Sequence, residues 1–403
     1  MDTKESGPSQ NEKLSPKQGK RKLGRPMNFK NKKKKATVKG KNRASINKTT
    51  TAKKHSVSKA KTTKLKQKQV TKKNEKKQCD PQIIQSKLKE RINYIPLSKK
   101  KTIRLEWPSK SISARDEQVV ASKVVVNGYY GPLDTTQMRH IESYVKSTEM
   151  SLSQALSLRS ALLQQKAMYR CGSLRRQAKK VYNQYRAGQT VLQLAKKTDQ
   201  PPMNVFRVIL QEMKWSKEQI KKALRDPKRF QNRERNEFLA AESMDLVSMV
   251  NQSKIHDYSD QFEDLLSDWL TQREIRFVRQ SQLEAEQKKE FGKAIVTPDF
   301  LILDQLLIDG TPCHWIDCKA FYGANLQFSI KNAKKQMARY INHWGSGAII
   351  YLQGFSAEIK IHNDCALLNA YGALDADSLS ALEAKICEVK NAVSSTTFDH
   401  DGE

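Results

Sequence analysis

The sequence lacks most of what a membrane or secreted protein is built from. No apolar run in its 403 residues approaches the roughly 20 that a bilayer-spanning helix needs, and the first residues carry no apolar signal core. The six cysteines (Cys79, Cys171, Cys313, Cys318, Cys365, Cys387) are scattered and form no C-x-x-C pair. That excludes a zinc ribbon and a disulfide scaffold and fits a reducing compartment. No G-x-x-x-x-G-K-[ST] loop is present, so no built-in NTPase is implied. Acidic residues are scarce as well: 42 Asp+Glu stand against 74 Lys+Arg, a formal net charge of +32. A chain this positive needs an anionic partner, nucleic acid first and an anionic lipid surface second. Only 37 % of the residues are hydrophobic, which predicts that part of the chain does not fold.

The charge is concentrated at one end. Residues 1–80 hold 27 Lys+Arg and 5 Asp+Glu, a net of +22, and leave +10 for the other 323 residues. Isolated apolar residues such as Leu23, Phe29 and Ile46 follow no period there, so residues 1–101 are expected to form a disordered Lys-rich tail. Lys20-Arg21-Lys22, Lys32 to Lys35 and Lys72-Lys73 read as nuclear-import and phosphate-binding clusters, which favours a nuclear location. Lys22-Leu23-Gly24-Arg25-Pro26 resembles an AT-hook, with Leu23 where an arginine is expected; an address tag explains the same residues. Such a tail raises affinity for any polyanion in a salt-sensitive way without choosing a sequence. Order is expected from about Ile103, and residues 394–403 are expected to be disordered again.

Residues 102–250 read as helical. Within 174–214, Leu174, Ala178, Val181, Tyr182 and Tyr185 recur at helical spacing, and Gly188 stops that helix. Thr190 and Gln193 form a T-x-x-Q capping box for a second helix. Asp199-Gln200-Pro201 breaks it, and Pro202 suits the first turn of a third. That third helix places Val205, Phe206, Ile209 and Leu210 on one face and Asn204, Arg207, Gln211 and Lys214 on the other. The segment has the look of a helix-turn-helix, with Arg207 and Lys214 as candidate nucleic-acid contacts. An ordinary three-helix bundle with a wet polar face is the competing reading.

The chemistry lies further on. An amphipathic helix carries Phe262, Glu263, Leu266, Trp269 and Leu270. A strand follows at 275–278, then a polar Glu/Lys-rich insert expected to form a loop, then the apolar run 295–303 containing Thr297-Pro298-Asp299. Asp309-Gly310 is a hairpin-turn dipeptide. The returning strand 313–320 is expected to bring Asp317 and Lys319 towards Asp299, because residues two apart on a strand share a face. Two carboxylates and one ammonium on a small volume call for a hard divalent cation such as Mg²⁺ between the acids. Asp/Glu-x-Lys alone carries no weight, since Glu286-Gln287-Lys288 and Glu358-Ile359-Lys360 also satisfy it. The Asp317 copy differs in lying within an apolar strand, downstream of the only Pro-Asp dipeptide in the chain. A structural ion pair would leave the same trace. His256, His314, His343 and His362 have no neighbours at metal-ligand spacing and read as packed or surface histidines.

This order of helix, strand, Pro298-Asp299, hairpin, Asp317-Cys318-Lys319, helix and strand resembles the PD-(D/E)xK nuclease superfamily. Gln336 and Tyr340 are similar to the Q-x-x-x-Y element of its RecB-like members. Thr297-Pro298-Asp299, His314 to Ala320 and Tyr351-Leu352-Gln353-Gly354-Phe355 resemble the TPD-motif branch more closely. The resemblance implies an α/β core, a mixed sheet flanked by helices, over about 251–393. It further implies a nuclease that hydrolyses phosphodiesters with Mg²⁺, Mn²⁺ substituting. Asp299, Asp317 and the main-chain carbonyl of Cys318 would hold the metal, with Glu263 as outer ligand or water acceptor. Lys319 would serve the attacking water, while Gln336 and Tyr340 steady the lysine or the phosphate. Nucleic acid, DNA favoured, and a codanin-like protein are the implied partners. The rival expectation is a catalytically inactive scaffold of the same fold.

Overall fold

The computed structural model describes residues 99–248 and 253–391; the Lys-rich tail up to residue 98, its AT-hook-like stretch and residues 392–403 lie outside the described residues. The first strand among the described residues is β1 (Thr102–Leu105). Helices α1 (Ala114–Ala121), α2 (Thr135–Val145) and α3 (Leu152–Arg176) follow, and then a run of shorter ones: α4 (Ala178–Arg186), α5 (Val191–Thr198), α6 (Pro202–Glu212), α7 (Lys217–Arg225) and α8 (Asn232–Ser243). Their starts are written locally. Asp134/Gln137, Ser151/Gln154, Thr190/Gln193 and Ser216/Gln219 each form a reciprocal capping box that satisfies two orphan amides. Helix α4 ends before Gly188, whose φ of +99° suits glycine alone.

Helix α6 is the hub of this region. Val205, Phe206, Ile209 and Leu210 are fully buried, and Pro202, Met203 and Val208 nearly so, against α4, α5 and α8. Burial of each large side chain stabilises by about 1.5–3 kcal/mol. Pro201 offers no side chain to cap α6, so buried Asp245 reaches back from the chain after α8 and accepts from Met203 N at 2.9 Å. Asp199, in the left-handed turn between α5 and α6, pairs with Lys166 and Arg170 of α3.

The second half is an α/β assembly. Helix α9 (Ser253–Gln272) leads to β2 (Phe277–Arg279), α10 (Gln280–Phe291), β3 (Phe300–Ile302), β4 (Gln305–Ile308), β5 (Thr311–Pro312) and β6 (Trp315–Lys319). Helix α11 (Gln327–Trp344), β7 (Gly347–Tyr351), β8 (Cys365–Asn369) and α12 (Ala376–Asn391) complete it. The five-stranded sheet has the order β2-β3-β6-β7-β8; its first two pairings are antiparallel and its last two parallel. Alternation along the strands sorts the two faces. Ile316, Ala348 and Ile350 pack with Phe262, Leu266 and Leu270 of α9 and Leu379, Leu382 and Ile386 of α12. Trp315, Ile349 and Tyr351 pack with Leu283 of α10 and Met337, Tyr340 and Trp344 of α11. The result is a mixed sheet flanked by helices on both faces. Gly347 runs so close over the Trp315 ring that a Cβ would sit 2.3 Å from it, so the β6–β7 contact needs glycine there.

Two expectations change here. The insert after Phe277 is mostly helix rather than loop: Glu, Gln, Lys and Ala are good helix formers, Leu283 and Gln287 lie one turn apart on a buried face, and Gly292 ends α10 in a left-handed cap. The Asp309-Gly310 turn joins β4 to β5, not the two strands carrying the acids. Chain 295–308 breaks at Leu303-Asp304, where the Asp304 carboxylate takes over the amides of Arg276 and Lys101. Strands β4 and β5 form a separate small sheet with β1, which runs parallel to β4. Residues 102–112, assigned by sequence to the helical region, are thus built onto the α/β part: Trp107 donates to Asn369 O at 2.8 Å and packs on Trp269.

Candidate active site

Strand β3 places Phe300 opposite Ile316 of β6, so Asp299 stands beside Asp317. By strand parity Asp299, Asp317 and Lys319 face the same side as Leu301 and Trp315, beneath α11, while Cys318 points to the other layer. The sheet thus brings together the acids and the lysine named from the sequence, although the connecting hairpin is not the expected one.

Asp317 is 1 % exposed and Asp299 8 %. Asp299 Oδ2 accepts from Cys318 N at 2.6 Å, and Asp317 Oδ1 accepts from Gln336 Nε2 of α11 at 3.2 Å. Gln336 also donates to Tyr340 Oη at 2.9 Å, and that hydroxyl reaches Thr297 O at 3.3 Å. The i,i+4 pair on α11 therefore spans both acid-bearing strands. Lys319 Nζ forms an ion pair with Asp317 Oδ2, an oxygen that is otherwise without a hydrogen-bond partner.

The cluster carries more negative charge than its surroundings neutralise. Burial first, and the neighbouring Asp317 second, push the Asp299 carboxyl up to about 8. Glu263, half-buried on α9 in the opposite layer, is also raised, by burial and by Asp260, and it senses Asp317. Its carboxylate pairs with Arg279 Nη2 at 3.8 Å. Burial works against the Lys319 ammonium, but Asp317 and Asp299 outweigh it and hold the amine above its usual range. Burial likewise raises the Tyr340 hydroxyl, so it stays protonated and can donate.

Does the site fit a divalent ion? Two buried carboxylates that share one ammonium between them, Asp317 paired with Lys319 and Asp299 lacking a countercharge of its own, form a hard oxygen donor set of the kind Mg²⁺ takes, with water or phosphate completing its shell. Among the described residues no three His, Cys, Asp or Glu side chains are disposed to hold an ion between them. The donors therefore fit a two-carboxylate Mg²⁺ site and not a three-ligand cage of the zinc type.

Two supporting residues were given no role by the sequence reading, which named Tyr351 only as part of a motif. Gln287, fully buried on α10, accepts from Ile295 N at 2.7 Å and Val296 N at 3.1 Å and donates to Val296 O at 2.8 Å. It fixes the two residues that lead into Thr297-Pro298-Asp299. Nothing marks this in the sequence, because Gln287 lies in a charged segment that reads as exposed. Tyr351 pairs in register with Lys319 and feels the Asp317 charge. A Tyr two residues beyond a buried Ile is a strand-parity signal that was available.

Arg207 and Lys214 do not join this cluster. Arg207 is half-buried on α6, donates to Asn204 Oδ1 at 3.3 Å and faces the field of Asp245. Lys214 is exposed just past the end of α6, at a φ of +69°. No helix among the described residues is long and apolar enough to cross a membrane.

Residues 231–370, from α8 to the end of β8, match the family described as "Protein of unknown function TPD sequence-motif". The chain is similar to the CDAN1-interacting nuclease 1 of Bos taurus and of Homo sapiens, each 28 % identical over 195 residues. Those matches take in 45 % of this chain and 66 % of the relative, so the chain spans just under two thirds of their length. An uncharacterized protein of Acanthamoeba polyphaga mimivirus, L539, is 26 % identical over 113 residues, 27 % of this chain and 39 % of that protein. No solved structure matches. Thr297-Pro298-Asp299, at the mouth of β3 with the acid pair behind it, lies within the stretch over which the chain is similar to the TPD sequence-motif family.

Proposed function

We propose that this protein is a nuclease of the PD-(D/E)xK kind that hydrolyses nucleic-acid phosphodiester bonds with the help of Mg²⁺, or Mn²⁺ in its place. The observation that carries the reading is the buried Asp299–Asp317 pair on one sheet face, with the Lys319 ammonium beside it and too little other positive charge around it. A fold gains nothing in stability from two adjacent buried acids, whereas a hydrolytic site needs them.

Asp299, Asp317 and the Cys318 carbonyl are the proposed holders of the ion, and Glu263 the outer acceptor. When bound, the ion supplies Lewis-acid polarisation of a phosphodiester oxygen and a more acidic water. The protein's own part is positional. Lys319 presents a charged amine to the side of the acid pair where a phosphate approaches. Gln336 and Tyr340 hold Asp317 and the Thr297 carbonyl in one frame, and Gln287 fixes the run that ends at Asp299. By kinship with proteins named for an interaction with CDAN1, a codanin-like partner is proposed as well, and the Lys/Arg clusters of the N-terminal segment are proposed to direct the chain to the nucleus and to DNA. The α5–α6 unit is proposed as an auxiliary nucleic-acid contact, through Lys214 above all.

The test is cleavage of labelled single-stranded, duplex and branched DNA and RNA in Mg²⁺ or Mn²⁺ by wild type and by Asp299→Asn. Equal behaviour on every substrate overturns the reading. One observation favours the rival, a scaffold without catalysis: Lys319 is already paired with Asp317 and Glu263 with Arg279. Calorimetric titration separates the two, because a scaffold gives no metal heat that Asp317→Asn abolishes.

A further inference from the structure

Phe321 follows the site lysine by two residues, and its ring is 47 % exposed while the residues on either side of it, Ala320 and Tyr322, are buried. Exposure of this kind usually belongs to a loose loop, but here the backbone is pinned. Tyr322 N donates to Ser157 Oγ at 2.9 Å, Gly323 N to Gly354 O at 2.9 Å and Asn325 N to Glu117 Oε1 at 2.9 Å. The ring stands edge-on to Tyr351 at 6.2 Å, and Tyr351 is the register partner of Lys319. A rigidly held, outward-facing aromatic thus lies one side chain away from the acid pair. As packing it is wasted area; as a platform it is already in place.

Asp317 is tied to α11, whose 18 residues include no Asp or Glu. Lys331, Lys335 and Arg339 are exposed and recur every four residues, about 6 Å apart along the axis. At 3.6 residues per turn they sit between about 60° and 140° round from Gln336, on the flank away from buried Met337. No salt bridge among the described residues involves the two lysines, and Arg339 Nη2 is held by the Ile295 carbonyl. Gln336 ties this helix to Asp317, so the cationic row runs beside the acid pair.

We propose that the site takes an unpaired stretch of nucleic acid, with one base stacked on Phe321 and the adjoining backbone carried along Lys331, Lys335 and Arg339. This rests on the nuclease reading and gives it a substrate class: single strands, frayed ends or flaps. The reason is geometric. In a duplex the faces of a base are covered by its neighbours, so a ring beside the site can stack only on a base that has left the helix. An aromatic platform with a cationic track is the arrangement by which single strands are held without sequence preference.

The experiment reads binding alone, in chelator, with the full chain. A (dT)20 strand carrying one 2-aminopurine, and the same strand annealed to its complement, are titrated against wild type, Phe321→Ala, Phe321→Trp and Lys331→Ala/Lys335→Ala. Expected are tighter binding of the single strand than of the duplex and quenching of 2-aminopurine. Quenching should be lost in Phe321→Ala with an affinity drop of about tenfold, and restored in Phe321→Trp. The double lysine variant should flatten the logarithmic salt slope by about 1.4. Unchanged quenching and affinity in Phe321→Ala, with melting curves like wild type, overturns the proposal, as does a duplex bound as tightly as the single strand. An acidic polypeptide competing as well as (dT)20 overturns it in favour of a protein partner for the α11 row. Because no cleavage is measured, these outcomes are independent of whether Asp299→Asn silences the nuclease.

Discussion

Four residues separate two buried aspartates, Asp299 and Asp304, whose surroundings treat them in opposite ways. Asp304 accepts from Arg276 N at 2.9 Å, from Arg276 Nε at 3.1 Å and from Lys101 N at 3.3 Å, and forms an ion pair with the same guanidinium. Burial alone would raise its carboxyl, but these bonds prevail and hold it below the usual range. Asp299 receives one amide and a share of one ammonium, and burial with Asp317 lifts it to about 8. One carboxylate is fully answered by its own chain; the other is left short. On the nuclease proposal, that contrast separates an acid that builds the fold from an acid kept for a guest.

The contrast can be broken in four ways. The largest effect belongs to Asp299→Asn and Asp317→Asn, which should lower cleavage by at least about a thousandfold while the melting temperature at pH 7–8 holds or rises. A gel assay and a melt on the same preparations check both halves, and a variant that cuts normally or unfolds breaks the comparison. Asp304→Ala should do the reverse. It strands buried donors and lowers stability by at least about 2 kcal/mol, read from urea midpoints.

The third effect is a pH dependence. An unfolded aspartate titrates near about 3.9, below the value of about 8 held by Asp299 in the fold. Between the two the native state binds the extra proton, so this group's contribution to stability falls as pH rises from about 4 to about 8. The stability gained by Asp299→Asn in chelator should therefore grow across that window, by up to about 1.4 kcal/mol per pH unit. A gain that is flat or shrinks with pH contradicts the raised carboxyl. The smallest effect concerns α6. Lys214→Ala should reduce the logarithmic salt slope of duplex binding by about 0.9. Arg207→Ala, half-buried beside Asp245, should mainly lower the melting temperature; a change in binding slope with no change in melting would move Arg207 onto the nucleic-acid surface.

What could be read from the sequence was local or periodic. Thr190 and Gln193, Gly188, Pro202 and the Asp309-Gly310 turn act within three or four residues, and the shared face of Asp317 and Lys319 follows from strand parity alone. The partners of those residues were not legible where they come from afar. Gln287 grips Ile295 and Val296 because α10 folds back on the run before β3, while its Glu/Lys-rich composition read as a loop. Arg276 meets Asp304 only because the strand breaks there, and Asp245 reaches α6 across 42 residues. Helix α6 also proved more enclosed than its amphipathic pattern implied, since α8 covers a side that the pattern leaves open.

Strand β1 has a practical consequence for anyone isolating the α/β part. Shortening the protein to residues 251–391 would strip β1 from β4 and uncover a row of backbone donors and acceptors along a flat ribbon. Such a fragment would recruit a second copy of itself to fill the gap, and aggregation on the column would then report the missing strand rather than any property of the intact protein.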